Sequence, residues 1–287
     1  MLVVGDVIDD ILVRPKGTIR PDTDVDSKIE ISAGGSAANF ACWLATQGVK
    51  VDFVGRVGLQ DVSRHEQILR DFGVNPHLQA DAQNATGKIV VLVEGEHRTF
   101  LTDRGANRDL DVDSIPSELF RDLVYVSGYS LLSLSATSIR RLIDRAHEQG
   151  ALVACDPGSY GFIEDFGVGR FLTALEGVDM LLPNLEEGRV LSGEDRPELI
   201  CRFLAERFKV VALTMGSQGC AAIAENEYLE LPAIAADVID PTGAGDAFSS
   251  AFLASYLKSK NLKAAMSSGV RAGAKAVTVS GGRPSRN

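Results

Sequence analysis

Short apolar, β-branched runs alternate with longer amphipathic stretches along nearly the whole chain, and this rhythm restricts the fold more than any other feature. The runs Leu2–Gly5, Val51–Gly55, Leu123–Ser127, Leu152–Cys155, Val178–Leu182 and Val210–Thr214 read as strands. Between and after them, residues 37–47, 62–72, 135–149, 186–192, 197–208, 245–259 and 262–280 read as helices. Gly48, Gly73 and Gly150 follow three of these and read as helix ends. Strands that alternate with helices predict an α/β fold, a mostly parallel central sheet with helices on both faces. Two segments break the rhythm. Residues 13–33 mix proline, glycine and alternating polar and apolar residues, and residues 86–102 read as a hairpin, Lys88–Val93 and His97–Thr102, turning at Glu94-Gly95-Glu96. They predict a small separate β-sheet inserted into a body made of 1–12, 34–85 and 103–287.

The chain has 287 residues, enough to bury a substantial core, and a formal net charge of -10. An acidic chain is a poor match for nucleic acid or an anionic membrane, so neither is expected as a partner. Cys42, Cys155, Cys201 and Cys220 are scattered through apolar runs, which points to buried free thiols. The opening MLVVGDVIDD lacks a basic start, no apolar run is long enough to span a bilayer, and a cytoplasmic location is the expectation. The final SGGRPSRN is expected to be a mobile tail.

The string DPTGAGDAF at 240–248 carries the chemistry. Gly243, Ala244 and Gly245 form a small-residue turn opening a helix on which Phe248, Phe252 and Tyr256 recur every fourth residue. Such a turn presents backbone N–H groups and the positive helix end to an anion. Asp246 in the same turn could take a proton from an attacking hydroxyl. An anion cradle with a general base is what phosphoryl transfer to an alcohol requires. A dinucleotide fingerprint lacks its third glycine, since Phe248 stands there, and a P-loop lacks its lysine. A plain glycine turn with a capping aspartate is the bland alternative.

DPTGAGDAF resembles the C-terminal signature of the ribokinase-like, PfkB-type carbohydrate kinases, and GGSAAN at 34–39 resembles their N-terminal signature. The resemblance implies a ribokinase-like fold in which the small sheet is a lid over the substrate. It implies that Asp246 is the catalytic base and that the amides of Gly243, Ala244 and Gly245 form the anion hole. It also implies that Asp10, placed five residues after Gly5, binds substrate hydroxyls together with Gly34, Gly35 and Asn39. Arg104, in DRGAN, matches an arginine that meets an anionic group in some family members; a surface salt bridge is the alternative. Asn184 and Glu187 resemble the NxxE element that holds magnesium and phosphates, often through water; an Asn helix cap with a helix-surface Glu is the bland alternative. Thr214, Gly216 and Gly219 in LTMGSQG resemble the ATP-binding turn, with a plain hairpin as the alternative. Asp240 and Thr242 stand where many members keep a potassium ion. Ser36 stands where the best-known ribokinases have a lysine, and Tyr129 where some ribokinases use a glutamate, which argues against simple ribose.

The sequence thus predicts an ATP- and Mg2+-dependent kinase, with K+ beside the anion hole, acting on a hydroxyl of a sugar, sugar acid or nucleoside. A nucleoside kinase and a silent sugar- or nucleotide-sensing member are the rival readings. Exposed lid edges suggest a homodimer.

Overall fold

The computed structural model describes residues 1–95, 97–131 and 133–285. Along the chain come β1 (Leu2–Val4), β2 (Ile8–Pro15), β3 (Ser27–Gly34), α1 (Ser36–Ala45), β4 (Asp52–Gly58), α2 (Val62–Asp71), β5 (Asn75–Asp81), β6 (Gly87–Glu94) and β7 (His97–Asp103). The second half holds β8 (Leu123–Ser127), α3 (Gly128–Leu131), α4 (Ala136–Glu148), β9 (Leu152–Asp156), α5 (Tyr160–Phe166), α6 (Val168–Ala174), β10 (Met180–Leu181), α7 (Leu185–Ser192) and α8 (Pro197–Ala205). Then follow β11 (Val210–Thr214), β12 (Cys220–Ala224), β13 (Glu227–Leu231), α9 (Ala244–Ser259) and α10 (Leu262–Ala276). The large sheet runs in the order β13-β12-β11-β10-β9-β8-β1-β4-β5. Every pairing from β11 to β5 is parallel; β12 and β13 are antiparallel additions at one edge.

Alternate strand residues face opposite sides, so the sheet carries two cores. On one side Val3, Phe53, Tyr125, Ala154 and Ala212 pack with α1, α9 and α10. On the other Val4, Val124, Val153, Leu181 and Val211 pack with α4, α6 and α8. The fourfold spacing of Phe248, Phe252 and Tyr256 makes one stacked column on α9, with ring centroids 5.9 Å apart at each step. All four cysteines are buried and free. Gly48, Gly73 and Gly150 end their helices at φ of 75°, 80° and 72°. No described helix is long and apolar enough to cross a membrane.

The small sheet has the order β3-β2-β6-β7, with β2 and β6 parallel and its other pairs antiparallel. It begins at Ile8, so residues 8–12 leave the body to which the sequence assigned them. Gly95 turns the β6–β7 hairpin at φ 62°, and Glu96 lies outside the described residues. One face, with Ile8, Asp10, Leu12, Ile89, Val91 and Phe100, borders a cavity against the body. Ile29, Ile31 and Leu101 are exposed. The expected mobile tail is corrected in part. Gly281 N–H donates to Asp240 at 3.0 Å, Trp43 Nε1 donates to Gly282 O at 2.9 Å, and Arg283 is buried. Only Arg286 and Asn287 of that stretch lie outside the described residues.

Candidate active site

The segment after β1 builds the floor of the cavity. Gly5 lets α1 approach, because a Cβ there would lie 2.5 Å from that of Ala37. The N-terminus of α1 is capped from a distance: Asp6 accepts from Ser36 N–H at 2.7 Å and Ala37 N–H at 3.2 Å. Asp9 is taken up by a two-pronged ion pair with Arg64, at 2.8 and 2.7 Å. Asp6 and Asp10 both border the cavity, but Asp6 is engaged by the α1 amides, so Asp10 is the carboxylate left to meet a ligand there. A side chain at position 34 would overlap the Asp10 carboxylate, so Gly34 keeps its place open. Gly35 sits at φ 97°, with no room for a Cβ beside the Asp6 carbonyl.

Burial pushes the Asp10 carboxyl up to about 6, and the Asp6 and Asp9 charges add to this while Arg283 opposes it. An ionised Asp10 can accept two hydroxyl hydrogen bonds; protonated, it gives up acceptor capacity. If Asp10 receives acceptor hydroxyls, the acceptor KM is expected to rise as pH falls through about 6, by up to tenfold per unit. The same titration in Asp10→Asn is expected to lose this step.

Asp246, in the first turn of α9, also borders the cavity, and its Oδ1 accepts from Ser36 Oγ at 2.8 Å. Ser36, noted in the sequence only as a departure, therefore holds the candidate base. Burial raises the Asp246 carboxyl well above its ordinary range; the nearby Asp156 charge raises it further, and Ser36 and Asn39 partly oppose this. Gly243, at φ 77°, precedes the helix. Ala244 N–H makes a long turn bond to Pro241 O at 3.3 Å. Among the described residues the Gly243 and Gly245 amides have no protein acceptor. Two of the three expected donors are thus open.

Asn184 and Glu187 form a complete capping box on α7. Asn184 Oδ1 accepts from Glu187 N–H at 2.9 Å, and Glu187 Oε2 accepts from Asn184 N–H at 2.9 Å. The helix cap is present, but Glu187 is not on the helix surface: it is 2% exposed and close to other acids. Its carboxyl is raised well above the ordinary range by burial and then by Asp156, with Asp246 contributing; burial also lifts Asp156 to about 7. Asp156 at the end of β9 was missed in the sequence, where CDPGSY carries no motif. The Asp156 charge raises both Glu187 and Asp246, so positive charge brought near them would favour their ionised forms. Among the described residues no three His, Cys, Asp or Glu side chains are grouped so as to hold one metal ion directly.

Thr214, Gly216 and Gly219 lie at the β11–β12 turn. Thr214 pairs with Asn184 as an isolated parallel bridge, and Gly219, at φ 101°, leaves no space for a side chain against β13. These residues, with Asn184 and Glu187, do not line the cavity; they follow the carboxyl ends of β10 and β11. Asp246 lines the cavity and is also near enough to Glu187 to raise its carboxyl. Arg104 does line the cavity. Its Nη1 donates to Tyr129 O at 2.8 Å and Ser133 Oγ at 2.9 Å, and its guanidinium lies 4.9 Å from the centre of the Phe162 ring. The surface salt bridge considered for it is absent among the described residues, and burial lowers its pKa.

Two further arginines were not found from sequence. Arg283 Nε donates to Asn39 Oδ1 at 3.2 Å and Nη2 to Gly34 O at 3.0 Å, bracing the GGSAAN loop. Arg98, on β7, donates through Nη1 to Asp240 at 3.0 Å and Thr242 Oγ1 at 2.8 Å. Asp240 and Thr242, expected to flank K+, are therefore already engaged by a side-chain cation and do not fit an added ion in this arrangement. Burial would raise Asp240, but hydrogen bonds from Thr242, Gly281 and Arg98 hold it at about 2.

Comparison with known proteins agrees with this architecture. Fructokinase-1 of Zea mays is 29% identical over 240 residues, covering 78% of this chain and 74% of its own. The adenosine kinase of Sinorhizobium meliloti superposes with a TM-score of 0.88 at 22% identity, over 99% of this chain and 95% of that one. Arabidopsis thaliana ribokinase, solved with ribose and ATP, gives a TM-score of 0.83 at 24% identity over 99% and 95%. The sequence profile of the pfkB family carbohydrate kinases matches residues 1–287, and the chain belongs to that family.

Proposed function

We propose that this chain transfers the γ-phosphoryl group of ATP to a hydroxyl of a sugar or sugar derivative held in the cavity. The observation that carries the reading is the position of Asp246, which borders the cavity and also opens α9 beside the Gly243 and Gly245 amides. An acceptor hydroxyl oriented by Asp10 and Asn39 would lie within reach of Asp246, which takes its proton as the oxygen attacks phosphorus. The open amides stabilise charge on the group in transfer. Mg2+ held by water near Asp156 and Glu187 would supply charge neutralisation for the phosphates. ATP would lie along Asn184, Thr214, Gly216 and Gly219, whose strand ends are the usual place for ligands of open α/β sheets.

The cavity, about 230 Å3, suits a small acceptor. Arg104 brings a cation with neutral partners to its wall, which favours an acceptor bearing a carboxylate or phosphate. The small sheet covers this space and would act as the lid that excludes water. Its exposed Ile29, Ile31 and Leu101 support pairing of two copies through the same sheet. An ADP-release panel of neutral sugars, sugar acids, sugar phosphates and nucleosides tests the reading. Anionic sugars are expected to give the highest kcat/KM. Binding without ADP formation across the panel would leave the sensing alternative standing.

A further inference from the structure

The Asp240 and Thr242 oxygens meet a guanidinium instead of the expected monovalent ion. Arg98 Nη1 donates to Asp240 Oδ1 at 3.0 Å and to Thr242 Oγ1 at 2.8 Å. The same Oδ1 accepts from Thr242 N–H at 3.0 Å, and Oδ2 accepts from Gly281 N–H at 3.0 Å. The pair is shielded, with the Arg98 side chain 28% and the Asp240 side chain 11% exposed, so it is screened less than a surface ion pair. A second cation at these oxygens would face the guanidinium at close range, which is repulsive.

Arg98 belongs to the small sheet, whereas Asp240 and Thr242 lead directly into Gly243 in the body. It lies opposite Val93, near the outer end of the β6–β7 hairpin. The contact therefore depends on the hairpin lying across the cavity. We infer that Arg98 is the built-in cation of the Asp240–Gly245 turn, a positioning residue that shapes the phosphoryl-binding amides only while the small sheet covers the acceptor. This builds on the kinase reading above in one respect, the role given to the amides. In consequence covering the acceptor and shaping the anion hole become a single event, and an open site with an unshielded phosphoryl group has a poorly formed turn.

The test compares the wild-type protein with Arg98→Met and Arg98→Lys in potassium, sodium and tetramethylammonium chloride at equal ionic strength. Two readouts are taken, ADP release with saturating acceptor and hydrogen exchange of the amides of residues 240–247 without nucleotide. Wild-type turnover and exchange are expected to be the same, within about twofold, in all three salts. In tetramethylammonium, Arg98→Met is expected to lose up to about 10²-fold in kcat, the scale of a misplaced site, with faster exchange at 240–247. Potassium then restores part of both, and Arg98→Lys stays closer to wild type. A wild-type enzyme that needs potassium, or unchanged exchange at 240–247 in a folded Arg98→Met protein, overturns the inference. The wild-type salt comparison needs no variant and stands even if Arg98→Met fails to fold. Exchange needs no turnover, so a chain inactive on every acceptor would refute the kinase reading while this coupling is still decided.

Discussion

Asp246→Asn is expected to lower kcat by about 10²–10⁴, the usual contribution of a positioned base, with little loss of folding stability. The asparagine carbonyl can still accept from Ser36 Oγ, so the first turn of α9 keeps its tie to α1. What disappears is the site for the proton. Burial and the neighbouring Asp156 charge both disfavour an ionised Asp246 in the fold, so a neutral amide is tolerated in its place. The measurement pairs steady-state kinetics with a thermal melt. A folded Asp246→Asn protein with near-normal kcat would show that the proton goes elsewhere and would remove the assignment.

Gly243→Ala is expected to damage both activity and stability. The residue sits at φ 77°, where an L side chain is strained, and a Cβ there would lie 2.6 Å from Gly282 Cα and nearer still to the Gly282 carbonyl oxygen. Those are backbone atoms, held by the Trp43 bond to Gly282, and cannot swing aside. The turn must move, and its amides move with it. Loss of aligned donors costs about 10²–10³ in kcat, and the backbone strain costs more than about 1 kcal/mol. Gly245 supplies the contrast: nothing lies within 4 Å of a Cβ built there, so Gly245→Ala is expected to lose far less. Equal losses in the two variants, read by kcat and by denaturant midpoint, would contradict the steric account.

Most parallel strands of the large sheet were legible because they are largely buried on both faces and read as apolar runs. β5 was not, since Pro76 and alternating polar residues hide it, and α5 and α6 were hidden by their brevity and by Gly161, Gly167 and Gly169. The start of β2 was missed for a functional reason. Ile8, Asp10, Leu12 and Arg14 share one face, but that face meets a cavity, so the period-two signal mixes apolar residues with charges. At the site, the placement of Asp246 and Asp10 at the cavity was readable because short strings carry them. Asp156, Arg98 and Arg283 act through partners distant in sequence, and Ser36 reaches Asp246 across 210 positions. No local pattern announces such contacts. The proposed roles of the nucleotide-side residues rest on the resemblance and on their strand-end positions.

Two bonds, Ser36 to Asp246 and Arg283 to Gly34, close loops of 210 and 249 positions. Closing such spans costs chain entropy before any contact repays it, which makes them late events in assembly. On dilution from denaturant, helical signal should therefore return ahead of phosphotransfer. The chain would pass through a stage in which the sheet is built and the cavity side of the site is still in pieces.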